Sequence, residues 1–270
     1  MESLIKTQIA LDKANGLDVI LIEEPENHLD FSTLRKMLQE ISDKQNESQI
    51  IVTTHNNMIA SRLNLKNVLW ITENRVQSLS KVDEKVAEFF VKADDNAFLQ
   101  LLLSKKGFLV EGATEFLLLP HFYKQLTGHS IEEDGISIIS CNGISYKKYL
   151  AIADATGKRI AVITDNDKEQ KKIDEATEFN KVNTLQHIFM GSTVDDWTWE
   201  ISIYNINKNT LDGMITVQAG AKYLFHEKDY GAVVGKMLNN KVDTAYQMLT
   251  SGKIFSVPQY IKDAVGWINE

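Results

Sequence analysis

Short apolar runs that stop abruptly at acidic or polar residues recur along this chain. Val19-Ile20-Leu21-Ile22 runs into Glu23-Glu24-Pro25-Glu26. Ile50-Ile51-Val52 runs into Thr53-Thr54-His55-Asn56, and a third run covers Val68 to Thr72 before a tight turn at Asn74-Arg75. Further on, Phe108-Leu109-Val110 ends at Glu111-Gly112, Ile136 to Ile139 ends near Cys141, and Ile160 to Thr164 delivers Asp165-Asn166-Asp167. Apolar runs of this length, closed by turn residues, predict buried strands. Helical spacing fills the gaps. Leu34, Leu38 and Ile41 share one face behind Asp30, a good N-cap. Thr114 to Leu126 reads as a helix closed by Gly128, with a kink predicted at Pro120. Ser145 to Ala155 reads as another, and Pro258 suits the first turn of a last one. Such alternation predicts an α/β fold with a parallel sheet and right-handed crossovers. Residues 81–104 mix charged and apolar positions without a Gly/Ser/Pro-rich stretch, which predicts packed helices linking two lobes rather than a loose tether.

Composition narrows the class. The chain has 270 residues, enough for one or two domains, with 43% hydrophobic residues and only 3 Pro, so an ordered globular protein is expected. Its single cysteine, Cys141, excludes an internal disulfide. With no membrane-length apolar run and no signal peptide at the start, a cytoplasmic location is expected. A net charge of −8 argues against a protein that coats nucleic acid through general basicity. It leaves room for a nuclease, because clustered metal ligands are themselves acidic.

The chemistry sits where the runs end. In open α/β sheets, reactive groups collect at the carboxyl ends of the strands. Glu111, Glu115, Asp165 and Asp167 would then surround one point. Clustered carboxylates repel unless a cation lies among them, and hard oxygen ligands select Mg²⁺, Mn²⁺ or Ca²⁺. Any one of these acids alone would more often be a cap or a solvated turn; it is the two motifs in order that point to a metal. Lysines are dense at Lys105-Lys106, Lys147-Lys148 and Lys168 to Lys172, and the first two pairs flank the proposed site, where they could meet phosphates.

The pattern strand–Glu-Gly-x-x-Glu followed by strand–Asp-x-Asp resembles the Toprim domain of topoisomerases, primases and certain nucleases. The stretch Glu23-Glu24-Pro25-Glu26-Asn27-His28-Leu29-Asp30 resembles the C-terminal half of an ABC-type ATPase head. The resemblance puts Glu23 and Glu24 at the Walker B position, Asp30 in the D-loop and His55 at the switch histidine. No G-x-x-x-x-G-K-[ST] loop is present, so nothing cradles nucleotide phosphates. Ser3 to Leu11 resembles the helix that follows the ABC signature loop, with the loop itself missing. A fragment or one product of a split gene is therefore expected, with ATP used only beside a complete ATPase domain and no ATP hydrolysis by this chain alone.

Together the two halves resemble the OLD (overcoming lysogenization defect) family of ATP-dependent endonucleases, including Gabija-type anti-phage nucleases. The resemblance implies residues 1–80 as the end of the ATPase domain, 81–104 as a helical connector and 105–270 as a Toprim nuclease domain with C-terminal helices. It implies a two-metal Mg²⁺ or Mn²⁺ site built by Glu111, Glu115, Asp165 and Asp167, with Glu111 and Asp165 also catalytic. The family's Thr-Leu-Glu-like acid maps onto Glu200, with Trp199 in the Leu position. Its assisting lysine maps onto Lys241, with Val242 in a Gly position. DNA is the implied substrate, and a homo-oligomer or a chain supplying the ATPase portion is the implied partner. Two rivals stay open: a non-catalytic scaffold with a degenerate Toprim fold, and a topoisomerase- or primase-type protein. The topoisomerase would need a tyrosine nucleophile on a separate domain.

Overall fold

A computed structural model describes residues 19–27, 29–44, 49–56, 59, 67–72, 75–78, 80–93, 97–218 and 220–270. The helix expected at Ser3 to Leu11, His28 of the ATPase-like motif and the turn residue Asn74 lie outside the described residues. The chain divides into two compact units, Met1–Leu99 and Gln100–Glu270.

In the first unit β1 (Val19–Glu23) and β2 (Gln49–Thr53) pair in parallel, Val19 opposite Gln49 through Glu23 opposite Thr53. The helix α1 (Phe31–Lys44) joins them. Ile20, Ile22, Ile50 and Val52 alternate onto the face where Leu34, Met37, Leu38 and Ile41 bury. The opposite face corrects the expectation of buried strands: Leu21 is 75% exposed, and Val19 and Ile51 are nearly half exposed. A helix packed on one face uses only every second side chain of a strand, and the intervening residues stay in water. The third expected strand, β3 (Leu69–Thr72), leaves this sheet and forms an antiparallel hairpin with β4 (Arg75–Ser78). The helices α2 (Glu84–Ala93) and α3 (Ala97–Leu103) follow.

The second unit is built on four parallel strands in the order β6-β5-β7-β8. They are β5 (Lys106–Val110), β6 (Ile136–Ser140), β7 (Arg159–Ile163) and β8 (Gln186–Phe189). Both central strands are buried along four of their five residues, as a sheet covered on both faces requires. Three helices make the crossovers: α4 (Ala113–Thr127), α5 (Tyr146–Thr156) and α6 (Gln170–Val182). From β5 the chain steps to β6 on one side, then back across β5 to β7 and on to β8. With right-handed crossovers, that reversal puts α4 on one face and α5 and α6 on the other. The neighbouring strands β5 and β7 therefore send their C-terminal loops to opposite faces, which opens a crevice between them. Gly128 ends α4 in the left-handed conformation at φ +83°, and the helix continues through Pro120. The marked helical irregularity lies instead at Asn207, inside α7 (Trp199–Asp212).

The C-terminal third closes over the α4 side. After α7 come a small hairpin, β9 (Leu224–Phe225) and β10 (Lys228–Asp229), then α8 (Ala232–Asn239), α9 (Lys241–Thr250) and α10 (Gln259–Asn269). α9 packs on α4, and α10 packs on β7, β8 and α4. Trp267 of α10 stacks on His187 at 4.4 Å and lies under the Arg159 guanidinium at 4.0 Å. Lys106 Nζ donates to the Ile268 carbonyl at 3.2 Å. Phe108, Phe122, Tyr123, Trp199, Phe255 and Ile261 fill the core between sheet and helices.

Candidate metal centre

Glu111 directly follows β5 and Asp165 follows Thr164 at the end of β7, so the crevice receives one acid from each side. The two loops are tied together. Glu111 Oε1 accepts a hydrogen bond from the Thr164 hydroxyl and another from the Asp165 amide at 3.1 Å. Asp165 Oδ1 accepts from the Trp199 amide at 2.9 Å, which sets this carboxylate at the N-terminus of α7, where the helix dipole favours negative charge. Thr198 caps the same helix. Its hydroxyl accepts from the Ile201 amide and donates to Glu200 Oε2 at 3.0 Å.

Glu200 is 3% exposed, and its Oε1 is buried without a hydrogen-bond partner. Its Oε2 meets Lys241 Nζ, on the first residue of α9, at 2.8 Å. Val242 is half exposed, so its replacement of glycine leaves the lysine's approach open. Trp199 is buried, 6.0 Å from the Phe122 ring, so the larger residue in the Leu position is absorbed by the core.

The electrostatics follow from burial. Glu115 lies in the first turn of α4, where a carboxylate is ordinarily favoured, yet it is 7% exposed. Desolvation wins, and with Glu200 and Glu111 adding repulsion it raises the Glu115 pKa to about 7. Burial first, then Glu111 and Glu200, push Asp165 well above the usual carboxylate range. Burial pulls the Lys241 ammonium down, but Glu200, Asp165 and Glu115 outweigh it and hold its pKa above the ordinary lysine value. Three acids thus share one lysine, and Glu111 adds its repulsion to two of them. Together with the orphaned Glu200 oxygen, that deficit of positive charge suits a hard divalent cation, for which Glu111, Glu115, Asp165 and Glu200 are the available oxygen donors.

Asp167 is placed differently. It points to Lys172 Nζ at 2.5 Å, and both it and Lys168 adopt left-handed backbone, φ +52° and +66°. The turn is pinned by Asn166, which is fully buried and which the sequence pattern passed over. Its Nδ2 donates to the carbonyls of Gly191, Thr193 and Asp196 at 2.9–3.2 Å. Its Oδ1 accepts from the Lys168 amide. Gly191 makes room for this arrangement, since a Cβ there would stand 2.0 Å from the Asp196 oxygen. An Asn between two Asp after a strand is an Asx-turn signal, so this role could have been read. Tyr260 was also missed. Burial first, then Asp165, raise its phenol well above the ordinary range.

The first unit gathers a second group. His55 Nδ1 lies 2.5 Å from Glu24 Oε2 and 3.7 Å from Glu26 Oε1. Among the described residues, these three are the one set of His, Cys, Asp or Glu whose ligand atoms all lie within 4.8 Å of each other. Glu26 is buried and accepts from the Thr54 hydroxyl; it was not among the expected site residues. Glu23 is exposed at the end of β1. Asp30 caps α1, accepting from the Ser32 and Thr33 amides and hydroxyls, which hold its carboxyl far below the usual range.

The parallel β6-β5-β7-β8 sheet with acids behind β5 and β7 defines a Toprim-class domain. Residues 102–167 match the family model for the Overcoming lysogenization defect protein-like TOPRIM domain, and residues 7–61 match an AAA-domain model. The Old nuclease of Escherichia phage P2 is 27% identical over 167 residues, covering 57% of this chain and 28% of that protein. The C-terminal region of the Burkholderia pseudomallei OLD protein aligns with 62% of this chain and 97% of its own, at 16% identity and a TM-score of 0.46. Over these stretches the chain is similar to OLD-family proteins. It spans just over a quarter of the length of the curated relative it matches. No helix among the described residues is long and apolar enough to cross a membrane.

Proposed function

We propose that this chain carries the nuclease centre of an OLD-family protein and hydrolyses DNA phosphodiesters with Mg²⁺ or Mn²⁺. The observation that carries this reading is the gathering of buried Glu115 and Glu200, half-buried Asp165 and exposed Glu111 at the crevice between β5 and β7, with Lys241 on Glu200. A divalent cation held there would act as a Lewis acid on the phosphate and lower the pKa of water. The protein's own groups do the rest. Thr164 and the Asp165 amide hold Glu111 in place, and the α7 N-terminus holds Asp165. Glu115, buried in the first turn of α4, would take the proton from the attacking water. Lys241 presents a compact positive charge to the phosphate oxygens. Asp167, turned to Lys172, would join the ligand set after a change of side-chain rotamer. The AAA-like unit would contribute nucleotide control only with a complete phosphate-binding loop beside it. Nicking of supercoiled plasmid tests the reading: activity should need Mg²⁺ or Mn²⁺, stop with EDTA and vanish in Asp165→Asn. Nicking that survives both EDTA and Asp165→Asn would overturn it.

A further inference from the structure

Beside the acids lies a cavity of about 510 Å³ that the proposed chemistry does not use. Glu111, Thr164 and Asp165 form one end of it. The remainder runs between the starts of α5 and α6 without including Lys241, and its size is that of a small-molecule or nucleotide site. Three lysines, Lys147, Lys171 and Lys172, line the wall beside the carboxylates Glu111, Asp165, Glu169 and Glu175. Tyr146 adds an aromatic ring, and the apolar floor comes from Leu109, Val162 and Met190. The first residues of α5 and α6 also open onto it, and neither Ser145 nor Glu169 caps its helix with a side-chain hydrogen bond. Amides and positive dipole ends therefore face the same space as the lysines.

The lysines are now held by surface carboxylates. Lys147 and Lys171 share Glu175 at 4.0 and 3.7 Å, and Lys172 bridges Asp167 and Glu169 at 2.5 and 3.4 Å. The side chains of both Lys147 and Glu175 are more than half exposed. Exposed pairs of this kind are weak, so a phosphate exchanges for the carboxylate at little cost.

We propose that this cavity is the subsite for the nucleotide next to the scissile phosphate. Its flanking phosphate would sit on Lys147 and Lys171, and its base or sugar against Tyr146 and the apolar floor. The assignment rests on the nuclease reading and adds the direction in which the DNA strand leaves the acids, between the first turns of α5 and α6.

The test is fluorescence anisotropy of a short labelled DNA duplex on the full chain in calcium buffer, across a salt series, together with nicking kinetics. Lys147→Ala and Lys171→Ala should each weaken binding roughly three- to tenfold near 0.1 M salt and lower the log–log salt slope by about 0.9. KM for nicking should rise while kcat stays within about twofold. Lys147→Arg should keep the slope. Lys124, in the last turn of α4 and hence at the N-terminal end of the strands, is the control, and Lys124→Ala should bind like wild type. If Lys147→Ala and Lys171→Ala keep wild-type affinity and slope while metal-dependent nicking persists, the subsite is wrong and the nuclease reading stands. If the wild-type chain binds no DNA and nicks none, the nuclease reading fails and the subsite with it.

Discussion

β1 and β7 carry nearly the same message in sequence, an apolar run that ends in acids, yet they deliver those acids into opposite environments. Behind β1 the sheet is covered on one face among the described residues, and Glu24 meets a histidine whose side chain is 77% exposed. Behind β7 both faces are covered, and Asp165, Glu115 and Glu200 are enclosed with one lysine between them. Near water, a carboxylate costs little and finds a partner. Under two layers of helices, it must be paired, protonated or ligated. On the proposed reading, the covering of the sheet, more than the acids themselves, sets the chemistry of the second site.

The largest difference should appear in stability. Phe108 of β5 is fully buried against Tyr123, so Phe108→Ala should cost about 3–5 kcal/mol in urea unfolding of the second unit. An outcome below about 1 kcal/mol would mean that this sheet is as open as the first. Next comes Lys241. Its removal strands Glu200 with both oxygens buried, so Lys241→Ala should slow nicking about a hundredfold and destabilise the metal-free protein by about 1–3 kcal/mol. Lys241→Arg should recover little activity, because the planar guanidinium does not fit a point contact. A fully active Lys241→Ala would remove the lysine from the chemistry.

Acidity separates the sites further. The folded pKa of Glu115 is raised, from the ordinary 4.5 to about 7, so its proton stabilises the fold. That contribution is fully present below about pH 4.5 and is lost as pH rises through 7, at a cost of up to about 3 kcal/mol. Asp165 shifts in the same direction. Metal-free protein should therefore melt higher at pH 5.5 than at pH 8, and Mn²⁺ should raise Tm more at pH 8. Equal Mn²⁺ shifts at both pH values would contradict the burial account. The smallest effect belongs to Leu21 on the open face of β1. Leu21→Ala should change stability by no more than about 0.5 kcal/mol, and a larger loss would show that this face is covered.

The parts of the molecule that could be read in advance are those set by local periodicity. The ends of β5 and β7, the α4 stop at Gly128 and the final helix at Pro258 all follow from runs and turn residues. Lys241 and Glu200 were legible only through resemblance, since 41 residues separate partners that meet at 2.8 Å. Three features were hidden for physical reasons. The open face of β1 depends on which helices pack there, and an apolar run looks the same covered once or twice. β8 and α6 follow Asp167 in a stretch whose helix buries little more than Ala176, so its apolar period is faint. Asp167 shares its motif with Asp165, but Asn166 anchors the turn to the Gly191–Asp196 loop and aims Asp167 at Lys172. Side-chain direction at a left-handed residue is set by that anchoring, which no spacing rule records.

Binding of Mn²⁺ to the full chain, followed by the loss of its free electron-paramagnetic-resonance signal, most directly tests the claim that the covered site holds the working cation. The account predicts saturable binding that disappears in the double variant Glu111→Gln, Asp165→Asn and persists in Glu26→Gln, with nicking tracking occupancy across the titration. Binding and nicking that persist in the double variant, or that are lost in Glu26→Gln alone, would contradict it.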